Sequence, residues 1–145
     1  MYCVRKVTDD IYWVGANEHR LHLFENIHPI PRGVSYNAYL LLDKKTALFD
    51  TVDWAACRQL LENLDHLLNG RPLDYLVINH MEPDHGASIE EVLLRYPDVT
   101  IISTEKSFML ICRRLPPSHG GKRGRFHFLW KTHRSVYCSA HGSLA

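Results

Sequence analysis

His80-Met81-Glu82-Pro83-Asp84-His85-Gly86 follows directly on Leu73 to Asn79, the most strand-like stretch of the chain, whose Leu76-Val77-Ile78 run suits a buried sheet position. Four potential metal ligands, His80, Glu82, Asp84 and His85, therefore stand at the end of a buried strand. Imidazole nitrogen and carboxylate oxygen are the donors that suit iron, zinc and manganese. A tight loop after a strand can aim alternate side chains at one point, with Pro83 and Gly86 holding its shape. Two histidines and two carboxylates exceed what one metal normally takes from a single short loop, so the segment predicts a two-metal site. The competing reading is a solvated polar loop that caps the next helix, a role any one of these residues could fill alone.

Upstream, Val34 to Leu42 reads as a strand rich in β-branched and aromatic residues, and Asp43-Lys44-Lys45 as a charged turn. Thr46 to Phe49 resumes as a short apolar strand and runs into Asp50, so Tyr39 to Phe49 forms a hairpin with a carboxylate at its exit. Asp50 has two open readings: a partner that orients a ligating imidazole, or a cap for the helix beginning near Asp53. Ile11 to Val14 is a further strand, closed by Gly15. Asp53 to Leu68 reads as a helix with Leu60, Leu61, Leu64, Leu67 and Leu68 on one face and Gly70 just past its end.

Downstream, Ser88 to Tyr96 reads as a helix opened by a capping box of Ser88 and Glu91 and stopped by Pro97. Val99 to Ser103 returns as a strand. Strand, helix, strand, loop, helix, strand is an α/β (α+β) order, in which chemistry usually sits at the carboxyl ends of strands.

Composition sets outer limits on function. With 145 residues, 46% hydrophobic and 23% charged, the chain falls within the range of one soluble globular domain and outside the disordered and fibrous classes. A formal charge of +1 gives no reason to invoke nucleic acid or membrane. Cys3, Cys57, Cys112 and Cys138 form no CxxC pair, which argues against a zinc knuckle or redox dithiol and suits a reducing cytoplasm. Met1 to Asp10 lacks the apolar core of a signal peptide, and no apolar run approaches the roughly 20 residues of a membrane helix. The expected location is cytoplasmic. His19, His22, His28, His66, His119, His127, His133 and His141 have no ligand-like spacing and read as surface or packing residues.

The order fails from about Cys112. After Glu105 no acidic residue occurs, while Arg113, Arg114, Lys122, Arg123, Arg125, Lys131 and Arg134 all fall there, broken by Pro116-Pro117, Gly120-Gly121 and Gly124. The expected organisation is a partial domain over 1–111 and a basic, poorly ordered tail over 112–145. A phosphate-binding arm would need ordered aromatics or a motif around the basics, which Phe126, Phe128 and Trp130 do not provide.

His80-x-Glu82-x-Asp84-His85-x-x-Ser88 resembles the motif of flavodiiron proteins (A-type flavoproteins), members of the metallo-β-lactamase superfamily. Ile11-Tyr12-Trp13-Val14-Gly15, Gly33-Val34-Ser35-Tyr36-Asn37-Ala38-Tyr39-Leu40-Leu41 and Leu48-Phe49-Asp50-Thr51-Val52-Asp53 fall in the family's order and rough spacing. The resemblance extends over residues 1 to about 110 and implies the first half of an αββα sandwich. It also implies that His80 and Glu82 bind one iron and Asp84 and His85 the other. The iron pair would reduce dioxygen or nitric oxide with electrons from a flavin mononucleotide on a separate flavodoxin-like domain. A rubredoxin-like or flavin electron donor and a homo-oligomeric assembly follow from the same resemblance. The zinc hydrolases of the superfamily have histidine where Glu82 stands, and a hard oxygen donor there favours iron. A zinc hydrolase, or a silent fragment, is the alternative.

The family completes its site with two more histidines and a bridging aspartate further along the chain. Its Pro-Met-x-His-Trp-Pro segment does not occur in this sequence. Reading the codons of Trp130 to Ala145 one nucleotide later permits Pro-Met-Val-His-Trp-Pro, and His119 to Arg125 treated alike permits Met-Val-Val-Lys-Glu-Gly-Asp. The expectation is a frameshift between about Leu110 and His119, with a tail that is not a selected sequence and no flavodoxin-like domain in this chain.

Overall fold

Leu40, Leu48, Leu76 and Ile101 are successive cross-strand neighbours, and all four are buried. That apolar row is the floor on which the helices pack. The structure is a computed structural model, and it describes residues 2–24, 27–79, 81–114 and 125–128. Along the chain the strands are β1 (Arg5–Lys6), β2 (Ile11–Trp13), β3 (Ala16–Glu18), β4 (Leu23–Phe24), β5 (His28–Pro29), β6 (Val34–Tyr36), β7 (Tyr39–Leu42) and β8 (Thr46–Phe49). A 3-10 turn (Trp54–Ala56) leads into α1 (Cys57–Leu68), followed by β9 (Tyr75–Ile78), α2 (Pro83–Gly86), α3 (Ile89–Arg95), β10 (Thr100–Ser103), α4 (Glu105–Arg114) and β11 (Arg125–Phe128).

The main sheet has the order β1-β2-β7-β8-β9-β10-β11. Its first three pairings are antiparallel and the rest parallel. The change falls where helices enter the connections, since parallel neighbours need a crossover and a tight hairpin cannot supply one. In α1, Leu60, Leu64 and Leu68 are buried, with Leu61 and Leu67 half-buried beside them. The opposite face of the sheet carries a second apolar row, Trp13, Tyr39, Phe49, Val77 and Ile102, and none of these is fully buried. A mixed α/β sheet with helices on one face and an apolar, half-exposed other face is the form of one layer of an αββα sandwich.

Three expectations from the sequence are corrected. Val34 to Leu42 is two strands, with β6 pairing β3 in a small sheet and β7 joining the main one. The chain changes sheet at a corner where Val14 N–H donates to the Ala38 carbonyl at 2.9 Å. A Cβ on Gly15 would lie 1.9 Å from the Tyr36 carbonyl oxygen, so only glycine permits that crossing. The helix after Asp53 begins in earnest at Cys57, because the Asp53 carboxylate accepts from Ala55 N–H and folds the first turn as 3-10. Ser88 forms no capping box: it is buried, and its hydroxyl donates to the Val52 carbonyl at 2.8 Å.

The corner is tied to α1 by Asn63, which is fully buried. Its amide donates to the Val14 and Gly15 carbonyls and accepts from the Cys3 N–H and the Gln59 amide. Of the tail from residue 112, the first three residues close α4 and Arg125–Phe128 lie along β10. The rest of the tail lies outside the described residues. Among the described residues no helix is long and apolar enough to cross a membrane.

Candidate metal centre

The strand expected before the ligand segment is β9, which ends at Ile78. His80 lies outside the described residues. Glu82 is extended (φ −65°, ψ 150°) and opens α2, with Pro83 in the first helical position. Asp84 and His85 therefore stand on a single helical turn and not in the expected loop. Proline presets φ for the first turn and needs no N–H partner there. The Glu82 carbonyl accepts from the His85 and Gly86 N–H groups at 2.9 and 2.7 Å, which closes the turn.

Asp50 leaves β8 in the left-handed region (φ 58°), a conformation in which aspartate is tolerated better than most side chains. Its Oδ1 accepts from Asn79 N–H at 2.8 Å and its Oδ2 from Asn79 Nδ2 at 2.7 Å. The same Oδ2 lies 3.9 Å from His85 Nδ1. Asp50 is thus placed between the end of β9 and the His85 imidazole, while Asp53 does the helix capping. The next residue, Thr51, donates through both its N–H (3.1 Å) and its hydroxyl (2.5 Å) to the His85 carbonyl.

His85 Nε2 and Asp84 Oδ2 are 3.3 Å apart. Asp84 Oδ1 is buried and has no hydrogen-bond partner among the described residues. A buried carboxylate oxygen left in this way is costly unless something positive or a donor meets it. The donors match an iron- or zinc-like cation in kind. In number, no three His, Cys, Asp or Glu side chains among the described residues are placed to hold one metal ion. Asp84 and His85 come together, and Glu82 does not join them in such a cluster.

Tyr36 stands at the edge of this region. Burial, followed by the charges of Asp53, Glu18 and Asp84, pushes its phenol up to about 12, so it stays neutral at ordinary pH. Sequence reasoning missed the parts played by Tyr36, Thr51 and Asn79. Thr51 follows Asp50 and Asn79 precedes His80, so adjacency to a candidate residue at a strand end was the available signal.

No family model matches the chain. Over 103 residues it is 39% identical to a nitric oxide reductase of Moorella thermoacetica, a match that takes in 70% of this chain and 26% of that protein. The chain thus spans about a quarter of the length of that relative. The rubredoxin oxygen:oxidoreductase of Desulfovibrio gigas superposes with a TM-score of 0.74 at 27% identity, over 86% of this chain and 31% of the other. A mutant flavo di-iron protein of Thermotoga maritima gives a TM-score of 0.70 at 27% identity, over 75% of this chain and 29% of its own. A Cronobacter sakazakii metallo-β-lactamase gives 0.55 at 16% identity, over 76% and 36% of the two chains, a likeness of fold alone. By sequence and fold together, the chain is similar to flavodiiron proteins over their metallo-β-lactamase-like part.

Proposed function

We propose that this chain carries the first ligands of the non-haem diiron centre of a flavodiiron oxidoreductase that reduces nitric oxide or dioxygen. The observation that carries this reading is the buried Asp84 Oδ1, without a hydrogen-bond partner among the described residues, beside the His85 imidazole, where a cation would satisfy the carboxylate. His80 and Glu82 would hold one iron and Asp84 and His85 the second, with Asp50 orienting the His85 ring. Iron bound there supplies reducing equivalents to a small diatomic substrate. The chain's own residues hold the donors at the carboxyl ends of β8 and β9. The relatives suggest the rest: one is named a nitric oxide reductase and another a rubredoxin oxygen:oxidoreductase. Flavin mononucleotide on a flavodoxin-like domain, a rubredoxin-like donor and a cytoplasmic location belong to the same proposal.

Two ligands per metal make a half site, so the isolated 145-residue chain binds at most about one divalent metal weakly and turns over neither gas. The tail from about residue 112 is read as out of frame, and sequencing codons 105 to 145 and beyond tests this. Continuation of the shifted frame into a flavodoxin-like segment is the expected result. Anaerobic equilibrium dialysis with ferrous iron, paired with oxygen and nitric oxide electrodes, tests the site. The frame-restored protein is expected to bind two irons and one flavin mononucleotide and to be active, and Glu82→Ala or His85→Ala to abolish that activity. A restored protein that takes up no iron overturns the proposal, and reductase turnover by the isolated chain overturns the half-site reading.

A further inference from the structure

We propose that Thr51 is a positioning residue that sets the register of the helical turn bearing Asp84 and His85, and through it the affinity of that turn for a divalent cation. The second half of this statement rests on the metal reading above; the first half does not. A helix as short as α2 leaves its last carbonyls without intrahelical partners. The His85 carbonyl is the one that a continuous helix would give to the N–H of Ile89. Instead both donors of Thr51 converge on it, at 3.1 Å from the backbone N–H and 2.5 Å from the hydroxyl. The turn therefore ends after Gly86, and α3 starts afresh at Ile89.

Thr51 can act as a fixed point because it is itself held. It is fully buried, so water cannot stand in for its hydroxyl. Immediately before it, Asp50 N–H donates to the Val77 carbonyl at 2.8 Å, which extends the β8–β9 ladder to the edge of the site. The left-handed conformation of Asp50 then turns the chain towards α2. Immediately after it, the Val52 carbonyl accepts the Ser88 hydroxyl at 2.8 Å. Thr51 and Val52 thus bracket the stretch from 85 to 88, the first giving hydrogen bonds and the second receiving one. Side chains one residue apart on a helix differ by about 100° in direction, so a slip of this turn would misdirect Asp84 and His85 together. Packing alone would be served as well by valine, which has the branched shape of threonine without the hydroxyl.

The test compares Thr51→Val and Thr51→Ser in the 145-residue chain, with Thr51→Ala as the substitute if the valine variant does not fold. Two readouts are taken: cobalt(II) binding followed by its visible absorption, and amide hydrogen exchange of the metal-free protein. Thr51→Val is expected to weaken cobalt binding by about ten- to a hundredfold and to speed exchange at Gly86 and Ala87, while Thr51→Ser restores both. Cobalt affinity and exchange unchanged in Thr51→Val would overturn the proposal. If the unsubstituted chain binds no cobalt, the affinity half of this proposal fails, while the metal reading is still decided by iron uptake of the frame-restored protein. The exchange rates then still decide whether Thr51 sets the register, faster exchange in Thr51→Val supporting it and equal rates sinking it.

Discussion

Glu18 and Asp84 are both carboxylates taken largely out of water, and the protein treats them oppositely. Glu18, on β3, is 4% exposed and is answered within its own neighbourhood. Its Oε1 accepts from the Arg20 N–H at 2.6 Å and from Arg20 Nε at 3.0 Å, and its Oε2 accepts from Nη2 at 2.5 Å. The Arg20 side-chain bonds, opposed in part by desolvation, hold its carboxyl at about 2, well below the ordinary 4.5. Asp84 has an imidazole 3.3 Å from one oxygen and no hydrogen-bond partner among the described residues for the other. Burial of a charge therefore does not mark a functional site by itself. What separates the two regions is whether the described residues around the carboxylate complete it or leave one oxygen without a partner.

The contrast predicts effects of opposite sign. Glu18→Gln removes charge-assisted hydrogen bonds from a buried position and is expected to cost about 2 kcal/mol, read as a lower urea midpoint. Asp84→Asn removes the charge from a carboxylate whose buried Oδ1 has no hydrogen-bond partner among the described residues, and is expected to raise the stability of the metal-free protein by about 1 kcal/mol while weakening cobalt binding. Two substitutions that destabilise alike would break the comparison. Acid sharpens it with a smaller, graded effect. The folded-state value of Glu18 is depressed, so its stabilisation is fully present above its ordinary value near 4.5 and is lost as pH falls towards about 2. Urea midpoints of the unsubstituted chain and Glu18→Gln should differ at pH 5 and converge as pH approaches 2. A difference that stays constant would show that the carboxylate is not the source.

The sequence made the ligand types and their strand-end setting legible, because both depend on local chemistry. Leu76-Val77-Ile78 reads as buried strand from its apolarity, and it lies in the interior of the sheet, between β8 and β10. The periodicity of α1 is equally local, and Leu60, Leu64 and Leu68 are its buried stripe. The break inside Val34 to Leu42 was hidden because strand-forming residues continue across it, and only the close approach of Gly15 to Tyr36 in space forces the change of sheet. The four residues of α2 are too few to show a helical period. Ser88 carries a capping signature, yet the Val52 carbonyl brought near by the parallel β8–β9 pairing takes its hydroxyl. The Thr51–His85 contact depends on the same pairing across 34 positions of chain, so nothing in either segment alone announces it.

Asn63 has a consequence in time as well as in space. Its bonds reach residues 3, 14 and 15 across separations of 60, 49 and 48 positions, whereas its bond to Gln59 is local. Contacts so distant in sequence wait for loop closure, and the entropy of closing those loops is lost before any of them gives a return. The carboxamide can therefore engage the corner only after α1 has docked on the sheet. Cys3 hangs on the same group from the other side. Release of the Cys3 N–H from that carboxamide is therefore expected to precede opening of the corner, read as faster amide exchange at Cys3 than at Val14.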